Sequence, residues 1–190
     1  MKFTGERVVP RDMRWNIDTF QQHLIRYVWA LQFVGGKTVA DVACGTGYGA
    51  DLLTTVATDV IGVDVDKEAI QYALDHYPTL SNIIEMNLEK PTSLPYRVDI
   101  LISFETIEHL EDPQKFFDWV KDNTKLGMVG SIPINCPTEY HKINYTSEQI
   151  FNLVRKNLKS PRFFYQNEMA IQGVDGGYIP NGMILFHGGI

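Results

Sequence analysis

The chain has 190 residues, 44% of them hydrophobic and 21% charged, the balance of one globular domain with a sizeable core. A net charge of −6 gives no electrostatic footprint for nucleic acid or an anionic membrane surface, and argues against both as partners. Two cysteines, Cys44 and Cys136, make no disulfide framework; no apolar run reaches the length of a membrane span, and Met1 to Arg7 lack the apolar core of a signal peptide, so a cytoplasmic location is expected.

Residues 1–16 are polar and irregular. Ile17, Phe20, Leu24, Tyr27, Val28 and Leu31 recur at helical spacing and predict a helix over 18–34, ended by Gly35-Gly36. A strand follows at 38–42, a helix at 46–56 and a second strand at 60–64. Asp64 or Asp66 can cap a helix over 67–76, stopped by Pro78. Ile83 to Met86 reads as a short third strand. Val98 to Phe104 is an apolar run suited to a strand buried on both faces. Pro113 opens a helix to about 125, and a fifth strand covers Met128 to Ile134. Thr146 to Gln149 form a capping box for a helix to about 158. Arg162 to Gln166 and Met183 to His187 read as two closing strands. Strands alternating with helices predict a parallel α/β sheet, and two late strands with no helix between them predict a terminal antiparallel hairpin.

The most informative stretch is Val39-Ala40-Asp41-Val42-Ala43-Cys44-Gly45-Thr46-Gly47-Tyr48-Gly49. A buried strand runs through an acid into a small-residue turn, where glycines at 45, 47 and 49 would let a ligand lie against the backbone. A second buried strand, Val60 to Asp64, ends in an acid suited to the two hydroxyls of a ribose. Together they describe a pocket for an adenosine-containing ligand. The glycine spacing is G-x-G-x-G-A, not the G-x-G-x-x-G of dinucleotide folds, and Asp41 beside it would repel a pyrophosphate. A carboxylate there suits a cationic ligand.

This Asp-x-x-x-Gly-x-Gly-x-Gly segment resembles the first motif of the class I S-adenosylmethionine-dependent methyltransferases. The resemblance covers about 37–187 and implies a three-layer Rossmann-like α/β sandwich, its seven-stranded, mostly parallel sheet closed by a C-terminal antiparallel hairpin. The whole chain, 1–190, is then one such domain, with 1–36 as an N-terminal lid and helix and 37–190 as the core. The opening Phe3 to Arg7 and His23 to Tyr27 also resemble the start of a bacterial methyltransferase group. The cofactor implied is S-adenosylmethionine. Asp41 and Gly45 would take its amino-acid end, Asp64 its ribose and Asn87 its adenine, with Thr46, Gly47, Val65, Leu88, Phe104 and Glu105 also in the cofactor site. Asn87 stands where relatives often carry an aspartate. Arg26, with His23 and Tyr27, could reach the cofactor carboxylate from the preceding helix.

Phe104-Glu105-Thr106-Ile107-Glu108-His109-Leu110 carries a second pattern. In a helical turn Glu105, Glu108 and His109 share one face, and two carboxylates with an imidazole suit a divalent cation. His141, after the fifth strand, is a fourth candidate. The E-x-x-E-H pattern with a later histidine resembles the ubiquinone-biosynthesis O-methyltransferases and the small-RNA 3′-terminal 2′-O-methyltransferases, and the resemblance assigns Glu105, Glu108, His109 and His141 as metal ligands. The competing reading is a helix cap and a histidine packed near the cofactor. An oxygen acceptor must lose its proton, so His109 and His141 are the candidate bases. Tyr140, Asn144 and Tyr145 flank His141 and could line an acceptor pocket. With little chain for a substrate domain the cleft should be open, suiting a small-molecule or glycan hydroxyl. Other readings are a cofactor-binding protein without methyl transfer, a 2′-O-methyltransferase acting on RNA, and an NAD-linked oxidoreductase.

Overall fold

The computed structural model describes residues 8–10 and 17–190. Apart from Val8, Val9 and Pro10, the expected lid over 1–16 and the Phe3 to Arg7 motif lie outside the described residues. In chain order the elements are α1 (Ile17–Val34), β1 (Thr38–Val42), α2 (Tyr48–Leu53), β2 (Asp59–Asp64), α3 (Lys67–His76), β3 (Ile83–Glu85), β4 (Val98–Phe104), a 3-10 turn (Ile107–His109), α4 (Pro113–Asn123), β5 (Thr124–Ile134), α5 (Ser147–Asn157), β6 (Lys159–Asn167), β7 (Ala170–Val174) and β8 (Gly182–Gly189). They form one sheet in the order β3-β2-β1-β4-β5-β8-β6-β7. The first five strands in that order are parallel, and β8 lies antiparallel between β5 and β6.

Local chemistry sets the helix starts. Asp66 caps α3, accepting from Glu68 N at 2.8 Å and Ala69 N at 3.2 Å, so Asp64 is not the cap and remains at the strand end. Asp112 caps α4 ahead of Pro113, and Thr146 and Gln149 form the capping box of α5. The sheet is buried on both faces. Tyr27, Ala30 and Val34 of α1 and Ala50 and Leu53 of α2 pack with Val39, Val60, Ile100 and Ile102. Phe116, Phe117 and Val120 of α4 and Ile150, Phe151 and Val154 of α5 pack with Ala40, Val42, Ile61 and Leu101. Alternation along β1 and β4 therefore feeds two apolar layers, which is why both strands read as continuous apolar runs.

Three expectations are corrected. The sheet has eight strands rather than seven, because β7 pairs with β6 along the outer edge. The hairpin partner of β6 is thus β7, and β8 inserts between β6 and β5. The second helix begins at Tyr48, not 46, because Gly45 and Gly47 have φ of 57° and 83°, outside the helical region.

Candidate functional site

The carboxyl ends of β1 to β5 lie along one edge, and three cavities open there. The largest, about 500 Å³, lies between the ends of β2 and β3 and the segment after β4, walled by Val65, Met86, Leu88 and Leu110. A smaller one, about 170 Å³, lies over the loop after β1, and a third, about 450 Å³, lies between α1, the end of β5 and the start of β8. Asp64 borders the first two, and Glu105 borders all three.

Asp64 is held from both sides. Its Oδ2 accepts from Gly45 N at 2.7 Å and its Oδ1 from Asp66 N at 2.9 Å. The loop is fastened to β2 by Cys44 N donating to Val63 O at 3.0 Å. The carboxylate is therefore fixed at the boundary of two cavities before any ligand arrives.

The motif residues divide differently from the expectation. Gly45 lines the smaller cavity. Gly47 faces the protein instead: a Cβ there would come within 2.6 Å of Ala73 Cβ. At Gly49 a Cβ would lie 2.0 Å from the Tyr27 ring. At two of the three glycines, then, the space that a Cβ would occupy is taken by a neighbouring helix. Thr46 is fully buried and donates to Val8 O at 2.8 Å, tying the loop to the N-terminal segment. Asp41 is 1% exposed and lines neither adjoining cavity; Tyr27, which lines the smaller one, donates its hydroxyl to Asp41 at 3.2 Å. Burial pushes the Asp41 carboxyl up to about 8, against the lowering effect of that hydrogen bond. Asp41 therefore stands behind Tyr27 and not at the expected ligand surface.

Arg26, expected to reach the cofactor carboxylate, pairs with Glu105 and donates to Gln166 Oε1 at 2.9 Å. His23 Nε2 lies 2.9 Å from the same Glu105 carboxylate. Burial works to raise Glu105, but Arg26 and His23 outweigh it and hold the carboxyl well below the usual range. Gln166 completes the group by donating to Gln22 O and Glu168 O, joining α1 to the β6–β7 turn. Sequence reasoning missed Gln166, which lies 140 residues from Arg26 in a segment read only for its apolar pattern.

The expected four-residue metal set is reduced to three. Glu105 has φ of 50°, and the turn that follows is a short 3-10 turn, so Glu105 leaves the face that a helix would have shared. Glu108, His109 and His141 come together, offering one ligand atom each within 4.8 Å of the others. Backbone bonds from Lys142 N and Ile143 N to Glu108 O, at 2.9 and 3.1 Å, bring the loop of His141 to the 3-10 turn. His109 Nδ1 faces Tyr140 O at 3.1 Å, and His141 Nδ1 faces Cys136 O at 2.5 Å. Carbonyls accept, so each Nδ1 carries the proton and each Nε2 presents a lone pair. Ligands of a tetrahedral ion stand about 3.4 Å apart at a 2.1 Å bond length, so atoms within 4.8 Å of one another need close by at most about 1.4 Å to share one ion. The donor set fits a divalent cation.

Val65, Asn87 and Leu88 line the largest cavity, although Asn87 Oδ1 already accepts from Glu89 N at 2.9 Å. Phe104 lines the smaller cavity, its ring edge-on to Tyr27. Tyr140 lines the largest cavity, Asn144 is exposed, and Tyr145 is buried in the core, where burial pushes its hydroxyl up to about 12. Lys142, not anticipated, reaches from the same loop to Glu89 at 3.1 Å and Glu111 at 2.9 Å across the largest cavity's rim. Among the described residues no helix is long and apolar enough to cross a membrane.

Residues 40–127 match a family described as methyltransferase domain. A probable S-adenosylmethionine-dependent methyltransferase of Mycobacterium tuberculosis is 34% identical over 116 residues, covering 61% of this chain and 42% of that protein. The chain thus spans about two fifths of the length of that relative. A ubiquinone biosynthesis O-methyltransferase of Coxiella burnetii is 27% identical over 161 residues, covering 80% of this chain and 68% of that one. Among solved structures, an S-adenosylmethionine-dependent methyltransferase of Thermotoga maritima, described as a possible histamine N-methyltransferase, superposes with a TM-score of 0.70 at 14% identity over 93% of each chain. That likeness shows the Rossmann-like fold.

Proposed function

We propose that this chain is a class I S-adenosylmethionine-dependent methyltransferase and that it methylates a hydroxyl of a small molecule or glycan. The observation that carries the reading is Asp64, fixed by Gly45 N and Asp66 N at the boundary of two cavities. Its oxygens can accept further hydrogen bonds from the two ribose hydroxyls. Val65, Met86 and Leu88 would wall the adenine, with Asn87 at its edge. Gly45, Thr46, Tyr27 and Phe104 would line the methionine end. When bound, the sulfonium supplies an electrophilic methyl group.

With the cofactor bound, transfer of its methyl group to the acceptor oxygen would leave S-adenosylhomocysteine as the leaving group, and the hydroxyl proton would have to pass to a residue of this chain or to water. His109 or His141 would take that proton at Nε2, a reading supported by each Nδ1 being turned to a carbonyl. In the alternative arrangement Glu108, His109 and His141 would hold a divalent cation, the two Nε2 atoms then serving as ligands and not as bases, and a mixed carboxylate–imidazole set suits manganese, zinc or cobalt better than magnesium. When bound, such an ion lowers the pKa of a nearby hydroxyl.

Calorimetry tests the cofactor reading. S-adenosylhomocysteine should bind wild type, and Asp64→Ala should weaken binding at least about tenfold, as expected when a carboxylate that takes two hydroxyls is removed. Equal binding by both proteins refutes the ribose assignment. A screen of diol, catechol and sugar acceptors, read as S-adenosylhomocysteine release, tests the transfer itself.

A further inference from the structure

We propose that the third cavity is the acceptor site and that it takes a neutral polyhydroxylated ligand, a sugar ring or the end of a glycan. The proposal rests on the methyltransferase reading and names the acceptor class that reading leaves open. The cavity, about 450 Å³, lies in the size range of small-molecule sites.

Its position fits an acceptor. His23 and Glu105 line both this cavity and the smaller one over the glycine loop, so the two meet at those side chains. Cys136, whose carbonyl faces His141 Nδ1, lines it as well, which sets its edge beside the Glu108–His109–His141 cluster.

Its chemistry selects the class. Arg26 is the guanidinium on the wall, and it is already paired with Glu105 and Gln166. No uncompensated cation is left among the described lining residues to hold a carboxylate or phosphate, and Glu168 adds a negative charge. Among the described residues no Phe, Tyr or Trp lines the cavity, so a flat catechol or quinol would find no ring to stack on. What the wall offers instead is carboxamides: Gln22, Asn135, Asn167 and Asn181, with Thr19 beside them. Each carboxamide both donates and accepts, as a hydroxyl does, so a ring of hydroxyls can be matched without net charge. Ile134 and Met183, both buried, form an apolar base suited to the C–H face of a sugar.

The test uses the full chain loaded with S-adenosylhomocysteine. Saturation-transfer NMR would be run with the methyl glycosides of glucose, mannose and galactose, with maltose, and with 3,4-dihydroxybenzoate as an anionic aromatic probe. At least one glycoside should bind, and Asn167→Leu with Asn181→Leu, both at exposed positions, should weaken it about tenfold while S-adenosylhomocysteine affinity stays within about twofold. Three results overturn the proposal: no glycoside binding, glycoside binding that the two substitutions leave unchanged, or dihydroxybenzoate binding that they abolish. If S-adenosylhomocysteine itself fails to bind, the methyltransferase reading falls, and the glycoside titration on the unloaded chain still decides whether the cavity takes sugars.

Discussion

Asp41→Asn isolates the least expected feature of the site, a carboxyl held neutral by burial. In the folded chain Asp41 titrates at about 8, against 3.8 for an ordinary aspartate. Between those values the folded state keeps a proton that the unfolded state releases, so stability must fall as pH rises. The contribution of the neutral carboxyl is complete below about pH 4 and is lost as pH rises through about 8. At about 1.4 kcal/mol per unit, the loss between pH 5 and pH 8 comes to about 4 kcal/mol. Asparagine keeps the shape and an acceptor for the Tyr27 hydroxyl but cannot ionise. Urea unfolding of both proteins at unit intervals from pH 5 to 9, without cofactor, reads the difference, and the other titrating groups cancel. With the neutral carboxyl and the amide equivalent at low pH, the variant should exceed wild type by about 1.5 kcal/mol at pH 5 and by about 5 kcal/mol at pH 8, with little further gain at pH 9. A difference that does not change with pH, or wild type gaining on the variant as pH rises, refutes the argument that Asp41 is buried neutral.

Gly49→Ala should lower the thermal midpoint. Its Cβ would lie 2.0 Å from the Tyr27 ring, and overpacking of about 1–3 kcal/mol corresponds to a fall of roughly 3–10 °C for a chain of this size. An unchanged midpoint would show that the Tyr27 ring can give way, and that crowding is not why glycine stands at 49. For the metal cluster, chain stripped with a chelator should bind manganese by calorimetry, and His141→Ala should weaken that binding at least about tenfold while leaving S-adenosylhomocysteine affinity unchanged. Manganese binding that survives both His141→Ala and Glu108→Gln refutes the three-residue set.

The sequence was most legible where burial dictates the pattern. Val98 to Phe104 is read correctly end to end, because a strand covered on both faces needs an unbroken apolar run. β7 left no such mark. Its residues, Ala170 to Val174, are exposed or half-buried and include a glycine, and what holds them is backbone pairing to β6, which side-chain type does not record. The E-x-x-E-H pattern failed in one position for a related reason. Spacing predicts a shared face only if the backbone is helical, and Glu105 at φ 50° is not.

The glycine motif behaves differently. Three alternate glycines suggest a single cause, close approach of a ligand, yet Gly47 and Gly49 are crowded by Ala73 and Tyr27. Tyr27 is in turn the residue that donates to Asp41. The fourth residue before the first motif glycine and the last glycine are therefore coupled through one aromatic side chain supplied by α1, outside the motif. The absence of a side chain at Gly49 leaves room for the Tyr27 ring, which lines the smaller cavity together with Gly45. The motif thus specifies the seating of α1 against α2 as much as the binding of a cofactor. It also makes loss of the Gly49–Tyr27 fit a way to disturb the site without touching a residue that lines it.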